Sequence, residues 1–195
     1  TIALEMLDAV PALDTLVISH PDNDHSAGAG TLLAALPAAT VYYGLPMPVL
    51  DSGRPCLSGQ AWRWPGGQRF QFLSPEGAGA GSSSDHSGVL QIEAGGRRLL
   101  LGGDIESGRE RELVRYWGET LASDWLLVAH HGSRTSSSWA LLKAVQPAIA
   151  VVSAGYASRF GHPHGDVVDR LVAIGATVHS TATGGALAFE FVPGQ

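Results

Sequence analysis

The chain has 195 residues, 45% of them hydrophobic and 15% charged, a balance that supports a packed core and excludes a disordered tail. No apolar run approaches the ~18–20 residues of a membrane span, the acidic start Thr1-Ile2-Ala3-Leu4-Glu5 does not read as a signal peptide, and a single cysteine, Cys56, excludes an internal disulfide and a thiolate zinc site. The net charge is −6, with one lysine, Lys143, so a polyanion partner would have to be met by bound metal ions or a local arginine patch.

The apolar, β-branched run 14–19 reads as a buried strand. The Ala/Leu-rich stretch 26–36 is expected to be helical, ending before Pro37, and residues 40–43 form a second strand. Residues 44–68, rich in Gly, Pro and Trp, suit an irregular insert with short strands. Residues 69–73 alternate as a strand, and the Gly/Ser/Ala run 77–84 reads as a flexible loop. Segments 88–93 and 98–101 flank Gly95-Gly96 and predict a hairpin. The remaining elements are expected as a helix at 106–117, a strand at 124–129, a helix at 137–145, a strand at 147–153, a helix at 166–174 stopped by Gly175, and final strands at 177–180 and 186–192. Helices and strands alternate late in the chain and hairpins fill its middle, a pattern of β-sheets with helices on their outer faces. No repeat and no interdomain linker interrupts it, so residues 1–195 are expected to form a single domain.

The polar clusters fall where strands end. His20-Pro21-Asp22-Asn23-Asp24-His25 follows the first strand, Gly103-Asp104 the hairpin, His130-His131-Gly132-Ser133 the strand at 124–129, and Gly161-His162-Pro163-His164 the strand at 147–153. Loops at strand ends converge on one sheet edge, because the strands fix the backbone and the loops aim the side chains. A mixed nitrogen and oxygen donor set at this spacing suits Zn²⁺ or Mn²⁺. Two ions roughly 3.5–4 Å apart are a common device for phosphoester hydrolysis. The bland alternatives are a polar turn at 20–25, an Asp104 that merely caps a helix, and a structural role for one of His130 and His131.

Taken together, the His20–His25 segment, Leu-Gly-Gly-Asp104-Ile-Glu, Val-Ala-His130-His131-Gly-Ser133-Arg-Thr-Ser136 and Phe-Gly161-His162-Pro-His164 resemble the metallo-β-lactamase-like C-terminal domain of ComEC/Rec2 DNA-internalization proteins, from about Leu13 to Phe191. The resemblance implies an α/β fold of αββα sandwich type and a metal-dependent hydrolase, a DNase or phosphodiesterase, with two divalent ions, Mn²⁺ or Zn²⁺. It implies His20 and Asp22 on one ion, Asp24 and His25 on the other, a bridging Asp104, and His162 or its neighbour His164 as the late ligand. His86 occupies the place of the intermediate ligand. His130, His131 and Ser133 would lie beside the ions with Asp24 as catalytic groups, and Ser133, Arg134, Thr135 and Ser136 would contact the substrate. A metal-bound hydroxide attacking DNA during natural transformation is the implied chemistry.

Full domains of this type open with strands that the chain lacks ahead of residue 13, so an N-terminally truncated sandwich is expected. The resemblance further implies a membrane channel in the same full-length protein, and a place on the extracytoplasmic side of the inner membrane. Two alternatives are a catalytically weak DNA-guiding or assembly module and a small-molecule phosphoesterase, phosphocholine esterase-like. A groove edged by Arg54, Arg134 or Arg159 would favour DNA; a closed pocket of Trp62, Trp64 or Trp139 would favour a choline-like cation.

Overall fold

The computed structural model describes residues 11–46, 53–75 and 82–189. The chain runs β1 (Leu13–Ile18), α1 (Asn23–Ser26), α2 (Ala29–Ala35), β2 (Ala38–Tyr43), β3 (Arg54–Pro55), β4 (Ala61–Arg63), β5 (Arg69–Ser74), β6 (Val89–Ala94) and β7 (Arg97–Leu101). It continues through α3 (Ser107–Trp117), β8 (Trp125–Leu127), α4 (Trp139–Val145), β9 (Ile149–Val152), α5 (Gly165–Ala173), β10 (Thr177–Ser180) and α6 (Thr181–Gly184).

Two sheets result. The small one is parallel, in the order β1-β2-β3, and the large one has the order β10-β9-β8-β7-β6-β5-β4. In the large sheet β7 to β10 run parallel, while β4 to β7 form an antiparallel meander.

Side chains alternate across each strand, and this alternation builds the layers. Phe70, Phe72, Leu90 and Ile92 point to one face of the large sheet, where they meet Tyr42, Val17 and Cys56 of the small sheet region. Val89 and Leu100 point the other way, into a larger core with Leu113 of α3, Leu141, Leu142 and Val145 of α4, and Val167 and Leu171 of α5. By the same alternation Leu73 joins this second core while its neighbour Phe72 faces the first. On the outside of the small sheet, Leu16, Ile18 and Tyr43 pack on Ala29 of α2. The order of layers is helix, sheet, sheet, helix: the αββα sandwich.

Two expectations need correction. The helix expected over 26–36 is the shorter α2, which starts after Gly28, because the preceding polar turn forms its own helical turn, α1, ending at Ser26. The described part of the last expected strand, residues 186–189, is not extended into a sheet, and a short α6 precedes it. Residues 190–192 of that strand, and 77–81 of the expected loop, lie outside the described residues.

Candidate metal centre

β7, β8 and β9 are parallel neighbours, with Leu101 opposite Leu127 and Leu127 opposite Val151. Their C-terminal ends therefore share one edge, and the segments leaving them carry Asp104, His130 and His131, and the 153–164 loop. The loops are tied together: His130 N–H donates to the Gly103 carbonyl at 2.9 Å, and Gly88 N–H to the Ser19 carbonyl at 2.8 Å. Gly44 permits the closest approach, since a Cβ there would lie 1.9 Å from the Ser19 oxygen and 2.3 Å from that of His86. Any side chain at 44 would push the end of β1, and His20 with it, away from the large sheet.

Asp104 is the hub. It is 5% exposed, and its backbone N–H donates to the Ser87 hydroxyl at 3.1 Å. Its carboxylate lies 3.2 Å from His25 Nε2, 3.6 Å from His20 Nε2, 3.7 Å from His131 Nε2 and 3.9 Å from His130 Nε2. Burial works against its charge, but the His25 contact and the surrounding imidazoles outweigh it and hold the carboxyl below the ordinary Asp range. Burial, with His25 alongside, pushes His20 below the ordinary His value, toward the neutral form a metal needs.

Two sets of donor atoms converge, each within 4.8 Å of one another: His20, His25 and Asp104, and Asp24, His25 and His131. The rings are aimed by their other nitrogens, as in metal sites generally. The Ser19 hydroxyl lies 3.0 Å from His20 Nδ1 and 3.1 Å from His25 Nδ1. His131 Nδ1 lies 2.8 Å from the Ser153 carbonyl, which takes the Nδ1 proton and turns Nε2 toward Asp24 at 3.0 Å. The residues fit a divalent cation: His20 Nε2 is buried with no hydrogen-bond partner, 3.5 Å from the Asp22 carboxylate. A buried acceptor left unpaired costs free energy, and a metal ion would satisfy it. Asp22 is the N-cap of α1 but makes no side-chain cap bond, so the capping alternative fails for this carboxylate. Asp104 lies ahead of α3, whose N-cap is Glu106.

His86 is buried, its Nδ1 2.9 Å from the Ser82 carbonyl, and is absent from both sets. His162 stands on the rim, its ring 6.0 Å from that of His130 and 6.4 Å from that of His131; burial, then His130 and His131, push its pKa down. His164 caps α5, accepting from Asp166 N–H at 3.3 Å, while the Arg134 guanidinium approaches its Nε2. With both ring nitrogens so engaged and no place in either set, it is not positioned as a ligand. Among the loop hydroxyls, Ser136 is 1% exposed and donates to the Ala129 and Ser133 carbonyls, which closes the loop. Ser133 is also buried, its hydroxyl 3.1 Å from that of Thr135, which donates to Glu106 at 2.8 Å.

Residues the motifs do not announce hold this loop. His130, His131 and Ser137 have φ of 51°, 53° and 56°, a left-handed conformation that costs each L residue roughly 1–2 kcal/mol. Buried Glu110 of α3 accepts from the Ser137 and Ser138 amides, and Arg170 of α5 donates to the Ser136 and Ser137 carbonyls at 3.0 and 2.9 Å. One charged group from each flanking helix thus clamps the segment that follows the histidine pair. The sequence did carry a signal for Glu110, which stands in helical phase with Leu113 and Trp117 on the apolar side of α3.

An αββα sandwich with a His/Asp cluster at the strand ends is the architecture of a metallo-β-lactamase-type protein. Residues 8–156 match the family described as the Metallo-beta-lactamase superfamily, and the chain belongs to it. Similar proteins include "Competence protein ComA" of Neisseria gonorrhoeae, 39% identical over 92% of this chain and 26% of that protein. "Recombination protein 2" of Haemophilus influenzae is 36% identical over 92% and 22%, and "ComE operon protein 3" of Bacillus subtilis 30% over 93% and 25%. The chain spans about a quarter of the length of these relatives. Solved structures with the same fold include the diiron β-hydroxylase CmlA of Streptomyces venezuelae, TM-score 0.54 and 15% identity, covering 91% of this chain and 45% of that one. Zn²⁺-bound PqqB of Methylobacterium extorquens has TM-score 0.50 and 16% identity, covering 85% and 70%.

Proposed function

We propose that the chain is the metal-dependent phosphodiesterase unit of a competence-type DNA uptake protein and hydrolyses DNA. The observation that carries this is the buried, unpartnered His20 Nε2 facing the Asp22 and Asp104 carboxylates. The geometry supports His20, Asp22 and Asp104 as holders of one ion, and Asp24, His25 and His131 as holders of a second, with Asp104 in reach of both. His131 thereby takes the ligand role that sequence reading gave to His162. The many carboxylates favour Mn²⁺ over Zn²⁺. Bound divalent ions would supply an activated water and neutralise phosphate charge.

The chain's own groups do the rest. His130 faces Asp104 with Nε2 and Glu106 with Nδ1, at 3.9 and 3.6 Å; there an imidazole can stabilise phosphoryl oxygens or hand a proton to the leaving oxygen. Arg134, its side chain 70% exposed, offers a charged donor to a phosphate. The phosphocholine alternative loses its pocket. Trp62 is stacked 5.0 Å from Phe70 in the inter-sheet core, Trp64 lies against the same ring at 4.6 Å, and Trp139 stands exposed on α4. In the whole protein the unit would serve a membrane channel from its extracytoplasmic side; no helix among the described residues is long and apolar enough to cross a membrane.

The test is to strip the protein of metal, add Mn²⁺, Zn²⁺ or Mg²⁺ in turn, and assay single- and double-stranded DNA. Metal-dependent cleavage that disappears in Asp104→Ala and Asp24→Ala is expected. Cleavage that survives both substitutions, or no cleavage with any ion, would contradict the proposal, the latter in favour of a DNA-guiding module.

A further inference from the structure

We propose that the exposed rings of Phe160 and Tyr156, on the loop leading into the centre, form a stacking platform for unpaired bases, making single-stranded nucleic acid the substrate class of this site. The proposal rests on the phosphodiesterase function and adds to it the feature that would choose the strand. Phe160 is 66% exposed and Tyr156 89%.

The loop that presents them is held in shape. Ser158 N–H donates to the Gly155 carbonyl at 3.2 Å, Gly161 N–H to the Ser158 carbonyl at 2.9 Å, and Phe160 N–H to the Ser158 hydroxyl at 3.3 Å. Ala157 takes a left-handed φ of 51° to make the turn. The platform also connects to the centre. The Phe160 ring lies 5.8 Å from that of His162 at an interplanar angle of 29°, and the His162 ring is 6.0 Å from that of His130.

Charge is local and of the right sign. Arg159 places its guanidinium carbon 4.6 Å from the Phe160 ring centre, while Arg134, at His164 two residues past His162, shares its charge with the Asp166 carboxylate 3.8 Å away, so Arg159 is the cation at the ring. In a chain of net charge −6, general attraction to a duplex backbone is weak, so affinity must come from a place where rings and cations occur together. Bases stack on aromatic rings and on guanidinium planes alike, but only when unpaired, because in a duplex their faces cover one another. A phosphate at the metal centre would leave the adjoining base within reach of this loop.

The experiment uses the 195-residue chain, metal-free in EDTA so that nothing is cleaved. Binding of fluorescein-labelled oligothymidylate is followed by anisotropy, against an abasic strand of equal length and the corresponding duplex. Oligothymidylate should bind tightest. Phe160→Ala should weaken it about tenfold, the size expected for one lost stacking contact, Tyr156→Ala should add to the loss, and Phe160→Trp should restore binding. The abasic strand should respond to none of these. Because both positions are exposed, unchanged thermal melting controls for folding. Wild-type affinity in the Phe160→Ala/Tyr156→Ala double variant, an abasic strand binding as tightly as oligothymidylate, or no detectable oligothymidylate binding would each overturn the platform, even if metal-dependent cleavage persists. Base-dependent binding without cleavage under any metal would sustain the platform and remove the hydrolase.

Discussion

Asp24 and His131, 107 residues apart in the chain, face each other across the strand ends with the carboxylate oxygen 3.0 Å from Nε2. The backbone carbonyl of Ser153 fixes the opposite side of the imidazole, so the ring is aimed before any ion arrives. The proposed centre therefore counts His131 among its ligands. His131→Ala should lose one bound ion per chain in metal analysis after dialysis, whereas His162→Ala should retain the wild-type content. Equal loss in both, or loss only in His162→Ala, contradicts the assignment.

Metal removal should be visible in stability. An ion that binds only the folded chain, at a concentration 100 times its Kd, stabilises by about 2.7 kcal/mol, which for a chain of this size raises Tm by roughly 5–10 °C. Differential scanning fluorimetry with Mn²⁺ and with EDTA should show that shift in the wild type. His20→Ala should abolish most of it. A wild-type curve indifferent to Mn²⁺ and to EDTA counts against the centre.

Glu110 should matter out of proportion to its distance from the chemistry. Glu110→Ala leaves the Ser137 and Ser138 amides unpaired in the interior, at a cost of about 2–4 kcal/mol in urea unfolding. Burial pushes the Glu110 carboxyl above its ordinary value of 4.5. The folded chain then holds that proton more tightly than the unfolded one, so its contribution is complete below pH 4.5 and fades as pH rises through the folded value. The advantage of the wild type over Glu110→Gln should accordingly shrink as pH is raised from 4.5. An advantage that grows over the same range would show the opposite sign.

Asp124 supplies the opposite case. Its carboxylate accepts from the Arg98 amide at 2.8 Å and from the Arg97 guanidinium at 2.9 Å. Burial opposes its charge, but these donors win and lower its pKa from 3.8. Its contribution is present above pH 3.8 and is lost as pH falls through the folded value. Asp124→Asn should cost stability at pH 7 and nothing at pH 2, by urea unfolding at both.

Much of this was legible in residue order. Period-two alternation marks β5, because Phe70 and Phe72 face the inter-sheet core while Arg69 and Gln71 stay half-exposed, and Gly95-Gly96 fixes the hairpin of β6 and β7. The polar clusters announce themselves because each follows an apolar strand. What sequence cannot rank is which histidine turns inward. His131 and His162 both sit after strands, and only the left-handed backbone at 130–131 and the Ser153 carbonyl decide that His131 reaches Asp24. His164 looks like a ligand beside His162, yet its ring is spent on capping α5 and on Arg134. Ser19 escapes notice because a serine at a strand end is ordinary until the fold buries its partners, and Glu110 shows only through its helical phase with Leu113 and Trp117.

The most direct measurement is anomalous diffraction at the manganese edge from crystals of the protein grown with Mn²⁺. Peaks should lie among His20, Asp22 and Asp104 and among Asp24, His25 and His131, and both should vanish in Asp104→Ala. No peak at Asp104, or ions bound only at His86 or His164, would contradict a hydrolytic centre at these strand ends.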